Sequence, residues 1–140
     1  MADILSDWAK EFLREDHVAV VSTLNRDGSP QVTTIWYLLQ EDGTLIMSTP
    51  GRTQKVKNLL RDPRIAVCVG DERRSVSLYG TVTVSSDQNV VRQDLEQLAA
   101  RYIKEEAARA PALSLFLQEG RVALHVKPVK VTEFSLDQGH

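Results

Sequence analysis

The 140-residue sequence predicts a mainly β domain, an antiparallel barrel of roughly six strands that is closed or nearly closed, with helices between the strands. Short apolar segments typical of strands occur along most of the chain. Turn signals such as Asp27-Gly28 and Asp42-Gly43 join the first of them as a meander. The regular alternation of strands and helices that indicates a parallel sheet is missing, as is any internal repeat.

Composition predicts one globular domain over residues 1–140. Hydrophobic residues make up 42% and charged residues 26% of the chain, which is ordinary for a domain with a substantial core. The net charge of −2 gives no global attraction to nucleic acid or to an anionic membrane. There is neither a secretory signal pattern nor an apolar run long enough to span a membrane. We therefore expect a cytoplasmic protein with neither nucleic acid nor membrane among its partners.

The N-terminal half predicts one helix and three strands. Residues 5–15 have the apolar spacing of an amphipathic helix. Strands are expected over 17–24, 31–39 and 44–48. The second of these strands has apolar residues on both faces, so its orientation is left open. Trp36 lies late in it, where it either packs in the core or contacts a ligand.

A basic helix follows the third strand. Pro50 is expected to open this helix and Pro63 to close it, and Val56, Leu59 and Leu60 give it one apolar face.

This helix start is a candidate anion site. Its first turns carry Arg52, Lys55 and Lys57, next to the hydroxyls of Ser48 and Thr49. The free main-chain N–H groups of a helix N-terminus favour an anion at the same place. The pattern predicts a bound phosphate. The alternative is that these side chains simply point into solvent.

The C-terminal half predicts three further strands and more helix. Strands are expected over 65–69 and 75–84, with a bulge or close backbone approach at Gly80. A capping box at Ser85-x-x-Gln88 predicts a helix through about residue 108 that Pro111 breaks. A further turn or two of helix over 112–118 and a last strand over 121–126, extended past Pro128 through about 134, complete the chain.

Other chemistry finds little support in the sequence. Cys68 is the only cysteine in the sequence, which excludes an internal disulfide and a cysteine zinc cluster. We expect its thiol to be buried and inert. His17, His125 and His140 are scattered, so we expect no metal site. Hydrolase and nucleotide-binding motifs are absent, and no pair of carboxylates indicates general acid–base catalysis. Catalytic residues therefore stay unassigned.

An ordered series of motifs resembles the split-barrel flavoproteins of the pyridoxamine 5′-phosphate oxidase-like superfamily, in particular their coenzyme F420-dependent branch. The similarity is clearest from residue 25 to residue 69 and looser near the C-terminus. True pyridoxamine-phosphate oxidases carry an arginine-rich substrate motif near the C-terminus that this sequence lacks, so oxidation of vitamin B6 is not expected. The matching motifs are Asp27-Gly28-x-Pro30-Gln31, Trp36-Tyr37, Ser48-Thr49, Arg52-x-x-Lys55, Asn58, Arg61-Asp62-Pro63-Arg64 and Tyr79-Gly80.

The resemblance implies a fold and a site. It implies a six-stranded antiparallel split β-barrel with flanking helices, of the FMN-binding type, that forms a homodimer with a flavin-type cofactor in each cleft between subunits. The cofactor phosphate is then expected at the start of the basic helix and the ring along the second strand. The implied contacts are Ser48, Thr49, Arg52 and Lys55 for the phosphate, and Val32, Thr33, Thr34, Ile35 and Trp36 for the ring.

The resemblance also implies an activity. The expected protein is an oxidoreductase in which coenzyme F420 transfers hydride to a small unsaturated acceptor. The alternatives are an FMN-dependent reductase or oxidase, a flavin-binding carrier without turnover, and a haem-binding protein in which His17 or His125 would reach the iron. The phosphate site does not separate F420 from FMN, because both cofactors carry a phosphate on a ribityl-type chain.

Overall fold

The computed structural model describes residues 4–138, which form a single curled antiparallel sheet of seven strands with helices packed against it. The order of the strands in the sheet is β2-β1-β5-β6-β7-β4-β3. The elements in chain order are α1 (Asp7–Arg14), β1 (Ala19–Leu24), β2 (Pro30–Ile35), β3 (Leu38–Leu39), β4 (Leu45–Pro50), α2 (Gln54–Arg61), β5 (Arg64–Gly70), β6 (Arg74–Ser85), α3 (Gln88–Tyr102), α4 (Glu106–Leu117), β7 (Arg121–Ser135) and a 3₁₀ turn (Leu136–Gln138).

The two edges of the sheet are consecutive pieces of chain. β2 and β3 lie at opposite ends of the strand order, yet only Trp36 and Tyr37 separate them in sequence. The sheet must therefore curl until its edges nearly meet, which makes it a split barrel. The predicted second strand over 31–39 is thus two strands that break at this seam, so the sheet has seven strands where six were expected.

The seam is held by side chains of α3. Because Tyr37 belongs to neither strand, its main-chain groups need other partners. Its N–H donates to the Tyr102 hydroxyl at 3.2 Å, and its carbonyl accepts a hydrogen bond from Arg101 at 2.5 Å. The fully buried Tyr37 side chain donates in turn to the carbonyl of Leu13 at the end of α1. Burial raises the pKa of Tyr37 to about 12, so this phenol stays a donor at any physiological pH.

The core fills the inside of the curl. It consists of alternate residues of the strands together with the apolar side of α1, as the sequence predicts, and Ser6 caps that helix through the N–H of Ala9. In β5, Ile65, Val67 and Val69 are buried. Cys68 therefore points to the outer face and is exposed, which corrects the expectation of a buried thiol.

The helix boundaries differ from the predicted ones. Pro50 ends β4, and α2 begins at Gln54 with Thr53 as its N-cap, so Arg52 precedes the helix. Leu60 is 70% exposed because the buried side of α2 is formed by residues 55, 56, 58 and 59. The predicted apolar face is therefore wrong at Leu60.

Pro111 does not break the helix that precedes it. The chain leaves helical geometry at residues 103–105, and Pro111 lies inside α4. The N-cap of α3 is Asp87, which accepts from the N–H of Asn89 at 2.9 Å, and not Ser85 of the predicted capping box.

Two further observations complete the fold. The predicted close approach at Gly80 is confirmed, since a β-bulge lies between β6 and β7 at this residue. Among residues 4–138, no helix is long and apolar enough to cross a membrane.

Candidate cofactor site

A cavity of about 430 Å³ lies between the sheet and the helices α2, α3 and α4. It opens beside the seam of the barrel, so that the end of β2 and the end of β4 both reach it. Its wall combines an aromatic and apolar surface with two cations. The lining residues are Val18, Thr34, Ile35, Trp36, Ser48, Thr49, Pro50, Lys55, Leu95, Leu98, Phe116 and Arg121.

Lys55 is the most unusual side chain in this wall. It lies in the first turn of α2 and is only 7% exposed. Within residues 4–138 its ammonium group has neither a carboxylate nor a hydrogen-bond partner. Burial, and next the charge of Arg121, lower the pKa of Lys55. A buried cation without a counter-charge is unfavourable, and an anion in the cavity would relieve it.

The position of Lys55 is fixed by its own helix. Asn58, one turn further along α2, is fully buried and donates to Thr23 and Asn25 at 3.1 and 3.0 Å. Arg61 donates to the carbonyl of Leu24. These bonds hold α2 against the end of β1 and leave its first turn directed at the cavity.

The first turn of α2 also offers main-chain donors. The hydroxyl of the N-cap residue Thr53 donates to the carbonyl of Pro50 at 3.0 Å and caps none of the N–H groups of the helix. The N–H groups of a first helical turn have no partner within their helix. They add a partial positive charge on the same side as Lys55.

Arg121, the first residue of β7, is the second cation of the cavity. Its Nη1 donates to the carbonyl of Ser48 at 3.2 Å, and its Nε donates to the Glu119 carboxylate at 2.8 Å. The guanidinium lies 4.8 Å from the centre of the Phe116 ring. Arg121 is thus held in one orientation with part of its donor set still available.

The two hydroxyls beside these cations differ. Ser48 donates to the carbonyl of Val122 at 3.0 Å, so its hydrogen is already used. The hydroxyl of Thr49 makes no hydrogen bond within the described residues, although Thr49 is 4% exposed. Thr49 is therefore the hydroxyl that is free to donate to a ligand.

Trp36 forms the aromatic part of the wall. Its ring stacks on Tyr102 at 4.7 Å, with 9° between the planes, and meets the edge of Phe116 at 5.9 Å. It also lines the cavity. One face of Trp36 therefore packs on α3 while the ring borders the cavity, and its contact with a ligand stays a prediction.

The cavity brings together six of the nine residues expected to contact a cofactor: Thr34, Ile35, Trp36, Ser48, Thr49 and Lys55. The other three lie elsewhere. Val32 is 57% exposed on the outer face of the sheet, and Thr33 is not in the cavity wall. Arg52 points to the main chain at Glu119, 3.4 Å from its carbonyl, outside the cavity.

Sequence reasoning missed six cavity residues: Val18, Pro50, Leu95, Leu98, Phe116 and Arg121. Leu95 and Leu98 lie on the buried side of α3. Arg121 lies 66 positions after Lys55 in the sequence, and only the pairing of β4 with β7 makes them neighbours. No local pattern marks such a residue.

Neither described histidine lines the cavity, and His140 lies outside the described residues. His125 pairs with the buried Asp94 at 2.6 Å, on the side of the sheet that α3 covers. His17 lies 3.4 Å from Glu15 and packs against Phe12.

One group of potential metal ligands, Glu15, His17 and Asp71, lies away from the cavity. Arg74 forms ion pairs with both carboxylates, at 2.8 and 2.5 Å. Its hydrogen bonds lower the pKa of Asp71 to about 2 and lower that of Glu15. The group is an ion-pair cluster that joins the end of α1 to the β5–β6 turn.

The family model for pyridoxamine 5′-phosphate oxidase matches residues 5–134 of the chain. The chain belongs to the pyridoxamine 5′-phosphate oxidase family. Among curated relatives, the F420H(2)-dependent biliverdin reductase of Mycobacterium tuberculosis (strain CDC 1551 / Oshkosh) is 34% identical over 99 residues, which cover 70% of this chain and 72% of that protein.

Solved structures support the same family fold. A conserved hypothetical protein of Mycobacterium tuberculosis superposes with a TM-score of 0.83 at 21% identity, covering 100% of this chain and 92% of the other. A protein described as an F420 reductase gives 0.66 at 20% identity, covering 91% and 98%. A pyridoxamine 5′-phosphate oxidase-related, FMN-binding protein of Nostoc punctiforme gives 0.70 at 18% identity, covering 96% and 86%. The split barrel predicted from the sequence is thereby confirmed.

Proposed function

We propose that this protein is an oxidoreductase that binds coenzyme F420 in the cavity and uses it to reduce a small unsaturated acceptor. The observation that carries the proposal is the buried, partnerless Lys55 beside Arg121 at the end of β4. Membership of the pyridoxamine 5′-phosphate oxidase family supports a flavin-type cofactor. The F420H(2)-dependent relative favours the deazaflavin over FMN.

The donor set of the cavity fits a phosphate group. Two cations and one free hydroxyl, from Lys55, Arg121 and Thr49, border it. A phosphate group is negatively charged at neutral pH whether it is a monoester or a diester, so both cations attract it. In this arrangement Arg121 takes the role that the sequence assigned to Arg52.

The ring of the cofactor fits the other end of the cavity. β2 is an edge strand, so one side of its backbone has no strand partner and offers N–H and carbonyl groups to a polar ring edge. Trp36, held by Tyr102 and Phe116, provides a flat apolar surface next to it. Thr34 and Ile35 complete this part of the wall.

When bound, the reduced deazaflavin supplies the hydride, and the residues of the chain orient it and exclude water. Among the described residues that line the cavity there is no Asp, Glu, His or Cys. We therefore assign no general acid or base, and expect solvent to deliver the proton that completes the reduction.

We further propose that the protein acts as a homodimer through the outer face of the sheet. Val20, Val32, Tyr79 and Phe134 expose 40–57% of their surface on strands β1, β2, β6 and β7. Val20 pairs with Thr34 and Cys68, so these side chains share one face. Exposed apolar surface of this extent is typical of an interface. A second copy on this face would bring its own residues toward the ends of β2.

The experiment that tests the cofactor is a fluorescence titration of the purified protein with coenzyme F420 and, separately, with FMN. We expect tight binding of F420 and weak binding of FMN. The reverse preference would assign the protein to the FMN-dependent reductases or oxidases, and binding of neither would refute the proposal. Turnover of bound reduced cofactor with added acceptors then separates an enzyme from a carrier.

Two variants locate the phosphate. Lys55→Ala should weaken cofactor binding by about 1.5–3 kcal/mol, the usual contribution of a charge-assisted hydrogen bond. Lys57→Ala, an exposed neighbour on the same helix, is the matched control. Arg121→Ala should weaken binding more than Arg52→Ala does, and the opposite order would restore the original assignment of Arg52.

A further inference from the structure

The one carboxylate that the described residues place on the cavity cations belongs to Glu119. Its Oε1 lies 2.8 Å from Nε of Arg121. The side chain of Glu119 is 40% exposed and that of Arg121 17% exposed. The carboxylate therefore lies at the rim, on the solvent side of the guanidinium. Lys55 has no comparable partner, so this pair decides how much positive charge the cavity presents.

The geometry of the chain keeps Glu119 in this place. Glu119 and Arg121 are separated by Gly120, whose φ of +67° turns the chain sharply from the end of α4 into β7. The carbonyl of Gly120 accepts from the N–H of Gly51 at 2.9 Å. A Cβ on Gly51 would lie 3.2 Å from the same oxygen, so the turn sits directly on the chain that leads into α2. The backbone next to Glu119 is thus held by its contact with Gly51.

We propose that Glu119 is a competing anion built into the site. In the free protein its carboxylate neutralises Arg121, and a ligand phosphate must share or take over that guanidinium. The three side chains Lys55, Arg121 and Glu119 together carry one positive charge in place of two. This lowers the affinity of the cavity for phosphate and makes a bound cofactor exchangeable, as a cosubstrate that leaves after each turnover must be. The inference rests on the proposed anion site and names the residue that sets its affinity.

The test compares wild type, Glu119→Gln and Arg121→Gln by calorimetric titration with inorganic phosphate and with coenzyme F420. Glutamine keeps an oxygen that can accept from Nε of Arg121, so the variant removes the charge and retains the orientation. We expect Glu119→Gln to bind both ligands at least threefold more tightly and to release the coenzyme more slowly. Glu96→Gln, an exposed carboxylate on α3 that pairs with Arg92, is the matched control and should change neither affinity.

The double variant Glu119→Gln/Arg121→Gln separates this role from a general charge effect. If Glu119 acts through Arg121, its removal has no effect once Arg121 is gone. An increase that persists in the double variant, or affinity in Glu119→Gln equal to or below that of wild type, would overturn the inference.

The two ligands distinguish this inference from the proposed function. Tighter phosphate binding in Glu119→Gln with no binding of F420 or FMN would support the role of Glu119 and refute the cofactor. Tight coenzyme binding that Glu119→Gln leaves unchanged would support the cofactor and refute the role of Glu119. No binding of phosphate or of either cofactor to any variant would refute both.

Discussion

At the scale of single residues, Lys55 has a position that is unfavourable for the fold unless an anion lies beside it. A lysine is almost never this buried unless its charge is paired. Here the side chain is buried up to the cavity wall without a described counter-charge, and Arg121 adds repulsion. We expect an anionic ligand to remove this local instability, which would link binding and stability at this residue.

We predict that Lys55→Met stabilises the empty protein. Methionine keeps the length of the apolar stem and removes the buried charge, so the free energy of unfolding should rise by about 1 kcal/mol. Urea unfolding of ligand-free protein at neutral pH measures this change. Lys57→Met, on the exposed side of α2, should remain within about 0.5 kcal/mol of wild type. A loss of stability in Lys55→Met would show that the ammonium has a stabilising partner in the free protein.

The same residue has a signature in pH. The pKa of Lys55 is lowered from its ordinary value of 10.5, so the unfolded chain binds more protons than the native one between the lowered pKa and 10.5. Stability then rises with pH across that interval. The difference between Lys55→Met and wild type should consequently be largest at neutral pH and shrink as the pH approaches 10.5.

The sequence pointed to Lys55 but not to Arg121 among the cations that line the cavity, for a physical reason. Lys55 belongs to a local pattern in which cations and hydroxyls gather at a helix start. Arg121 reaches the same cavity only through the register of β4 with β7, where Pro50 pairs with Arg121 itself. Pro50 was expected to open α2, but the helix begins at Gln54, so Arg52 lies outside its first turn, and its contact with a cofactor stays a prediction.

Among the elements, β6 and β7 show how one glycine makes a long hairpin possible. A Cβ at Gly80 would lie 2.1 Å from the carbonyl oxygen of Lys127, inside the van der Waals distance. The bulge at this point leaves Val129 without a partner, because Tyr79 pairs with Lys130 and Gly80 with Pro128. The predicted close approach followed from a lone glycine within an alternating strand. No sequence pattern indicated that Val129 would be the residue without a partner.

We predict that Gly80→Ala destabilises the fold by about 3 kcal/mol, at the upper end of the range for overpacking, since the atom it meets is backbone and moves only with the strand. Denaturant unfolding measures the loss. Gly70→Ala is the matched control at the other end of the β5–β6 pair. Its Cβ would lie 3.3 Å from the nearest atoms, and we expect a change below about 1 kcal/mol. Equal effects of the two substitutions would contradict the assigned contact.

The second predicted strand is split into β2 and β3, which lie at the two opposite edges of the sheet. Periodicity alone continued this strand from 31 to 39, because apolar residues occur on both faces. Tertiary contacts end the strand, because the main-chain groups of Tyr37 bond to Tyr102 and Arg101 of α3 and not to a neighbouring strand. A break of this kind depends on residues more than 60 positions away. Local sequence reasoning had no means to find it.

At the scale of the whole molecule, the inner face of the curled sheet is packed with core residues, whereas part of its outer face, called here the bare face, exposes apolar side chains. The inside is packed by alternate strand residues, and the side near β4 and β7 is covered by α3 and α4. Within residues 4–138, no helix covers the exposed valines and Tyr79 on the outer face of β2, β1, β5 and β6. The family resemblance predicts a dimer, and the exposed face is where we propose that its interface lies.

We predict that Val32→Asp converts a dimer into a monomer. Val32 is 57% exposed on the bare face, next to the edge that leads to the seam, and a carboxylate there would be buried without a partner in the proposed interface. Size-exclusion chromatography with light scattering gives the mass directly. Leu60→Asp changes an apolar residue on α2 that is 70% exposed and should leave the dimer intact. A monomeric wild type would refute the dimer, and a Val32→Asp variant that remains dimeric while Leu60→Asp dissociates would place the interface elsewhere. If Val32→Asp also weakens coenzyme binding, although the residue lies outside the cavity wall, the partner subunit completes the cofactor site.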